Sequence, residues 1–104
     1  MLVDLSPSVG DEQSGRRRVL VLTPESRNRV TGLAVACPIA DEETGSEFEV
    51  PFPASLMIDG VVLADQARTL DWRHRNVQFL TRVPMELVDR VALRIGSLLG
   101  IPLA

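Results

Sequence analysis

The chain has 104 residues, of which 45% are hydrophobic and 24% are charged, and its formal net charge is −3. A chain of this length buries one core and is too short for two, so we expect a single domain over residues 1–104. The composition is that of an ordinary globular protein. No apolar run reaches the roughly 18 residues of a membrane span, and the acidic balance excludes binding of DNA or RNA through bulk positive charge.

The N-terminal segment MLVDLSPSVGDEQ has neither the basic region nor the apolar region of a secretion signal. This predicts a cytoplasmic protein with no membrane association.

Taken in chain order, the pattern begins with short aliphatic runs. Val19 to Leu22 and Leu33 to Ile39 are continuous apolar stretches that predict buried strands, and the polar segment SRNRVTG between them predicts a turn-bearing connection. SEFEVPF alternates polar and apolar residues, as a half-buried strand does. GVVLA and NVQFLTRV predict two further strands.

The C-terminal segment has a different period. Pro84 opens it, and apolar residues then recur at helical spacing: Leu87, Val88, Val91, Ala92, Ile95, Leu98 and Leu99. Proline suits a first helical turn, and Gly100 followed by Pro102 ends the helix. The whole pattern predicts a mainly β (β+α) fold, a small and partly closed barrel with an amphipathic C-terminal helix.

Two separate motifs resemble one known family. EQSGRR stands directly before the first aliphatic run, GVVLADQARTLDWR begins at Gly60, and DLSP, NRVTGL, CPI, FEVPFP and RVP follow the same order. Together they resemble the MazF/PemK (Kid) family of toxins over nearly the whole chain. The resemblance implies an SH3-like barrel, a homodimer, and an endoribonuclease (mRNA interferase) that cuts single-stranded RNA at a short sequence. It also implies no metal or other cofactor, and a cognate MazE-like antitoxin as partner.

Such an activity makes definite chemical demands. Cleavage of RNA without a metal uses the ribose 2′-hydroxyl as nucleophile, so the protein must accept its proton, stabilise charge on phosphorus and protonate the leaving oxygen. Arg17 occupies the family's catalytic arginine position, and a guanidinium holds two phosphate oxygens in a forked contact. Because its high pKa makes a guanidinium a poor proton acceptor, Arg17 is assigned charge stabilisation, with donation of a proton to the leaving oxygen as a further role. Glu12 is assigned as the base or as the group that orients Arg17.

The other predicted RNA contacts carry an open alternative. Arg18 is expected to add a phosphate contact, and Arg16, Asp11 and Asp41 are assigned to the same RNA-binding surface. The alternative for the arginines is a solvated strand entry whose charges discourage edge pairing. Gln66 matches a family position associated with RNA contact, where an amide reads a base edge. The alternative there is an amide bonded to its own backbone.

Cysteine, histidine and tryptophan occur once each, and each of these residues has two interpretations. Cys37, the only cysteine, is expected to be a buried small hydrophobe and not a reactive thiol. His74, the only histidine, is expected to be a solvated imidazole and not a catalytic base. Trp72 is expected to pack in the barrel, with base stacking as the alternative.

Two features depart from the family pattern. The family carries a threonine or serine after the second apolar run, whose hydroxyl works with the arginine, whereas Ala40 stands there in this chain and three carboxylates follow it. Met1 falls inside the first strand, which we therefore expect to be truncated. The alternative function is a catalytically impaired member that acts as an antitoxin-binding or regulatory protein. A third possibility, the gyrase-poisoning branch of the same fold, is disfavoured by EQSGRR.

Overall fold

The computed structural model describes residues 1–5 and 17–101. Within them the strands are β1 (Leu2–Leu5), β2 (Arg17–Val21), β3 (Leu33–Ala40), β4 (Glu49–Pro51), β5 (Val61–Leu63), β6 (Arg68–Asp71) and β7 (Gln78–Thr81). The α-helices are α1 (Glu25–Thr31) and α2 (Met85–Leu98). Short 3₁₀ turns at Ala54–Leu56, Ala64–Gln66 and Trp72–His74 link the later elements.

Strand β3 is the centre of an antiparallel sheet. One edge of β3 pairs with β2, and the other edge pairs with β6 along its first half and with β5 at its last two residues. The strand order is β4-β5-β3-β2-β1-β7, and among the described residues β4 and β7 do not pair, so the sheet is not closed into a barrel. The predicted class, mainly β with a C-terminal helix, is confirmed.

Side chains on the two faces of the sheet form two apolar clusters. The first cluster includes residues of α2 and consists of Leu2, Leu20, Cys37, Val50, Phe52, Val62, Ala64, Leu87 and Val91. The second consists of Val3, Val19, Ala36 and Leu70. Successive side chains of a strand point to opposite faces of the sheet. In β2, Val19 belongs to the second cluster and Leu20 to the first, so Arg17 and Val21 share the face of Val19, and Arg18 shares the face of Leu20.

Helix α2 lies where the sequence predicts it. Pro84 precedes its first residue, and Gly100 lies beyond its end with a left-handed φ of 82°. Leu87 and Val91 are one turn apart and are 1% and 0% exposed. Since each such side chain stabilises the fold by about 1.5–3 kcal/mol when buried, packing on the first cluster holds this helix in place.

Helix α1 occupies the segment for which the sequence predicts a turn-bearing connection, and that prediction is wrong. No residue of α1 is buried, so the apolar period that identifies a helix is missing. Local contacts define it instead: Thr23 Oγ1 donates to Asn28 Oδ1 at 2.6 Å, and Asn28 Nδ2 donates to the Thr23 carbonyl at 3.1 Å. Gly32 ends the helix in the left-handed conformation, at φ 75°.

Two further differences concern the strands. β6 was not predicted, because Leu70 is its only buried residue and so the strand has no alternation to detect. The alternating segment SEFEVPF contributes only the three residues of β4. Over residues 1–5 and 17–101, no helix combines the length and the apolar character needed to cross a membrane.

Candidate functional site

Arg17 is the first residue of β2, and its backbone pairs with Leu5 at the end of β1. Its side chain is exposed, and it forms no hydrogen bond or ion pair with any described residue. It shares a face of the sheet with Val19, two residues further along β2. No carboxylate of residues 1–5 and 17–101 therefore competes with a phosphate group for this guanidinium.

Ala40 is the residue of β3 that falls beside Arg17. β2 and β3 pair at Val19 with Pro38, and the same register carried two residues further sets Arg17 against Ala40. On its other side Ala40 pairs with Val61. The position next to the arginine is thus occupied by a methyl group, which donates no hydrogen bond.

Arg18 points to the other face of β2, the face of Leu20. Its Nη1 donates to the backbone carbonyl of Asp59 at 3.0 Å, and its Nη2 donates to Asp41 Oδ1 at 3.1 Å. Asp4 lies directly across from it in β1. Arg18 and Asp41 are both assigned to the RNA-binding surface from the sequence, and in the structure they contact each other.

Gly60 makes room for this arrangement. Its φ is 108°, and a Cβ at this residue would lie 2.6 Å from the Ala40 carbonyl oxygen and 3.1 Å from Arg18 Nη2. Any other residue would be strained in its backbone and would press on both neighbours. The Asp-Gly pair is a turn signal in the sequence, which could have identified this residue as part of the site. We call the group formed by Arg17, Arg18, Ala40, Asp41 and Gly60 the arginine end.

Glu49, the first residue of β4, holds the loop that follows β3. Its carboxylate accepts hydrogen bonds from the backbone N–H groups of Thr44, Gly45 and Ser46 and from the Thr44 hydroxyl, at 2.8–3.1 Å. Desolvation acts to raise the pKa of Glu49, but these hydrogen bonds outweigh it and hold the pKa below its ordinary value. Because the Thr44 hydroxyl is bonded to Glu49, it does not replace the hydroxyl missing at Ala40.

Comparison with known proteins decides the family. The family described as "PemK-like, MazF-like toxin of type II toxin-antitoxin system" matches residues 1–99. The chain belongs to this family of toxins. Endoribonuclease PemK of Escherichia coli is 37% identical over 105 residues, which cover 94% of this chain and 77% of that protein. Endoribonuclease toxin MazF of Escherichia coli (strain K12) is 35% identical over 98 residues, which cover 94% of this chain and 87% of that protein.

Solved structures agree with the sequence match. A crystal structure of MazE-MazF (Form-III) from Deinococcus radiodurans is similar to this toxin with a TM-score of 0.85 and 44% identity. The similarity covers 97% of this chain and 94% of the other. The resemblance inferred from EQSGRR and GVVLADQARTLDWR is confirmed.

Gln66 of this toxin lies at the far edge of β3 from Arg17. It ends the turn Ala64–Gln66, which connects β5 and β6, and both of these strands pair with that edge. Its side chain is exposed, and its amide forms no hydrogen bond with the described residues. Two strand spacings, about 10 Å, separate β2 from this turn. A ligand that contacted both Gln66 and Arg17 would therefore have to span β3.

Three of the predicted site residues, Asp11, Glu12 and Arg16, lie outside the residues that the structure describes.

The cysteine, histidine and tryptophan of the toxin are all engaged away from the arginine end. Cys37 is fully buried, and burial raises the pKa of its thiol to about 11. His74 is exposed, and its Nδ1 lies 2.7 Å from Asp71 Oδ2. Trp72 Nε1 donates to the Asn28 carbonyl at 3.0 Å, which ties the ring to α1.

A cavity of about 430 Å³ lies at the opposite end of the sheet, between α1, the start of α2 and the second apolar cluster. No residue of the arginine end lines it. A single RNA strand is bound through its phosphates and its splayed bases, which an open surface can reach. The exposed arginine end therefore suits RNA better than this cavity does. In the described part of the chain, no three His, Cys, Asp or Glu side chains are grouped to hold a metal ion.

Proposed function

We propose that this protein is the toxin of a type II toxin-antitoxin system and that it cuts single-stranded RNA at a short sequence without a metal ion. The observation that carries the proposal is the exposed guanidinium of Arg17, which has no carboxylate partner among the described residues at the end of β2. The endoribonuclease names of the relatives from Escherichia coli support the reaction type.

In the proposed mechanism Arg17 binds two non-bridging oxygens of the scissile phosphate. Charge develops on these oxygens as the ribose 2′-hydroxyl attacks phosphorus, and a fixed cation stabilises that charge more in the transition state than in the ground state. Glu12 accepts the proton of the 2′-hydroxyl or orients Arg17, and Arg17 is the proposed proton donor to the leaving 5′-oxygen. The products are a 2′,3′-cyclic phosphate and a new 5′-hydroxyl.

A cleavage assay tests the proposal. The protein is incubated with a long unstructured RNA in the presence of a chelator, and the new 5′ ends are mapped. We expect discrete cuts with the native protein, loss of those cuts with Arg17→Ala, and unchanged cutting with Arg94→Ala. Arg94 is an exposed residue of α2, so its variant loses the same charge at a remote place. Intact RNA at high protein concentration, or equal cutting by Arg17→Ala, would contradict the mechanism.

The second candidate is a catalytically impaired member that serves as an antitoxin-binding or regulatory protein. The specific observation in its favour is Ala40, whose methyl group stands in register with Arg17 while the nearby Thr44 hydroxyl is bonded to Glu49. Ala40→Thr separates the two candidates. If the missing hydroxyl limits catalysis, this variant cuts RNA faster than the native protein. If native cutting is already efficient, the variant gives no gain.

The proposed partners are a second copy of the chain and a MazE-like antitoxin. β7 pairs only with β1 among the described strands, and its Phe79 and Leu80 are 54% and 43% exposed, which supports a homodimer. Light scattering should then give twice the chain mass, and Phe79→Glu should reduce it, whereas Val30→Glu on α1 should not. A native monomer at micromolar concentration would overturn this part.

The MazE-MazF structure from Deinococcus radiodurans supports a cognate antitoxin for this toxin. Because the proposed substrate is messenger RNA, we propose the cytoplasm as the place of action.

A further inference from the structure

Arg18 has two partners among the described residues, whereas its neighbour Arg17 has none there. Nη1 is bonded to the Asp59 carbonyl, and Nη2 is bonded to the Asp41 carboxylate. A carboxylate oxygen and a phosphate oxygen accept the same charge-assisted hydrogen bonds from a guanidinium. Asp41 therefore occupies a position that suits a phosphate of RNA.

The two partners of Arg18 differ in how firmly they are held. The Asp59 carbonyl belongs to the backbone of the turn before β5, which Gly60 packs closely against Ala40. The Asp41 side chain is 92% exposed, and no described contact other than that with Arg18 holds it. Asp41 can therefore turn into solvent while Nη1 stays on the Asp59 carbonyl, which keeps the guanidinium in place.

The strength of the pair permits this exchange. Exposed ion pairs stabilise proteins by at most about 1 kcal/mol, a factor of about five in an equilibrium constant. Arg18 is 29% exposed and Asp41 is almost fully solvated, so the pair belongs to this weak class. A phosphate that binds Arg18 also releases the counterions of the RNA, which Asp41 does not.

We propose that Arg18 is a second phosphate-binding residue, which Asp41 occupies in the free protein and vacates when RNA binds. This inference rests on the proposed function, and it deepens it by assigning a competitor to the RNA inside the same chain. Arg17 and Arg18 point to opposite faces of β2, so the phosphate at Arg18 is not the scissile one but another phosphate of the same strand. Asp41 thereby sets the affinity for RNA and takes no part in the reaction.

Removal of the competitor gives a defined result. Asp41→Asn keeps the shape of the side chain and removes its charge, so we expect RNA to bind about fivefold more tightly. Asp4 remains across from Arg18 and limits the gain. Because the competition is between exposed charges, the gain should shrink as salt is added.

Binding is measured apart from cleavage. The probe is a fluorescein-labelled pool of mixed-sequence RNA oligonucleotides with 2′-O-methyl groups, which lack the nucleophile, and the readout is fluorescence anisotropy. The matched control is Glu42→Gln, which removes one negative charge from the next residue of the same loop, where no contact with Arg18 is described. Asp41→Asn is also made in the Arg18→Gln background, because a pair that interacts gives non-additive effects.

The expected result is tighter binding with Asp41→Asn, a smaller change with Glu42→Gln, and no gain from Asp41→Asn once Arg18 is absent. Equal gains from Asp41→Asn and Glu42→Gln would show a bulk charge effect and overturn the proposal. Unchanged or weaker binding with Asp41→Asn would overturn it too, since Asp41 would then be structural or would itself contact RNA. If Arg18→Gln does not fold, the comparison of the two single variants still decides.

Failure of this inference is distinguishable from failure of the proposed function. The native protein is tested on unmodified RNA in chelator alongside the binding series. Absence of cleavage would contradict the proposed nuclease activity, while the binding measurements would still decide whether Asp41 competes with phosphate. Cleavage by the native protein, together with unchanged RNA binding in Asp41→Asn, would support the nuclease activity and contradict the proposed competition.

Discussion

Gly60→Ala is expected to be among the more costly substitutions at the arginine end, although it adds a single methyl group. A residue other than glycine at a φ of 108° costs about 1–2 kcal/mol in backbone strain. The new Cβ would also lie 2.6 Å from the Ala40 carbonyl oxygen, so this backbone must move and the pairing of Ala40 with Val61 is disturbed. A weakened backbone hydrogen bond adds about 1 kcal/mol.

These contributions combine to a measurable loss. Alanine restricts the unfolded chain and returns about 0.4–1 kcal/mol, so the free energy of unfolding should fall by about 2 kcal/mol. For a domain of this size the melting temperature should fall by about 8–12 °C. Gly45→Ala is the matched control, because Gly45 has a similar φ of 91° but nothing within 4 Å of its Cβ position. The free energy of unfolding of Gly45→Ala should fall by less than about 1 kcal/mol.

The assay is urea denaturation of the two variants and the native protein, followed by circular dichroism, with melting curves as a second measurement. The difference between the variants isolates the close contact from the backbone strain. Equal losses for Gly60→Ala and Gly45→Ala would refute the reasoning, because the contact with Ala40 would then contribute nothing.

Three other outcomes are expected. Native Cys37 should react with a thiol reagent at pH 8 only as fast as the protein unfolds, since burial raises its pKa to about 11 and excludes the reagent; rapid labelling without denaturant would contradict this. Leu87→Ala should lower the free energy of unfolding by about 2–4 kcal/mol in the same denaturation assay. Leu93 is an exposed residue of α2, so Leu93→Ala should change this free energy by less than about 0.5 kcal/mol. The pKa of Glu49 is lower in the folded protein, so its contribution is present above the ordinary carboxyl range and is lost as the pH falls through the lowered value. The protection of the Thr44 to Ser46 amides against hydrogen exchange, measured relative to their intrinsic rates at the same pH, should therefore fall in Glu49→Ala at neutral pH and in the native protein under acid. Unchanged protection in both cases would contradict the assigned role of this carboxylate.

The sequence predicts those parts of the fold that depend on a period. Helix α2 follows from apolar residues three and four apart, and β2 and β3 follow from continuous aliphatic runs. Helix α1 buries nothing, so its existence depends on the contact between Asn28 and Thr23 and on Gly32, which no hydrophobic pattern records. β6 is held by its pairing with β3 and has one buried residue, so its hydrophobic pattern does not predict a strand either.

The candidate site divides in the same way. The motif EQSGRR identifies Arg17, and its register with Ala40 follows once the strands are paired. The bond between Arg18 and Asp41 joins residues that are 23 positions apart, and it depends on how closely the turn at Gly60 approaches the end of β3. Such a contact is a property of the assembled backbone, so the sequence assigns both residues to the RNA-binding surface without identifying which arginine Asp41 contacts.

The position of Trp72 has a practical consequence for spectroscopy. It is the only tryptophan of the chain, and it follows β6, whose last residue pairs with the first residue of β3. Ala40 stands seven residues further along β3, roughly 20 Å away. The tryptophan fluorescence of the protein therefore originates beside α1, far from the arginine end. The emission should change on denaturation, when the hydrogen bond to the Asn28 carbonyl is lost. It should not change when an oligonucleotide binds at the arginine end.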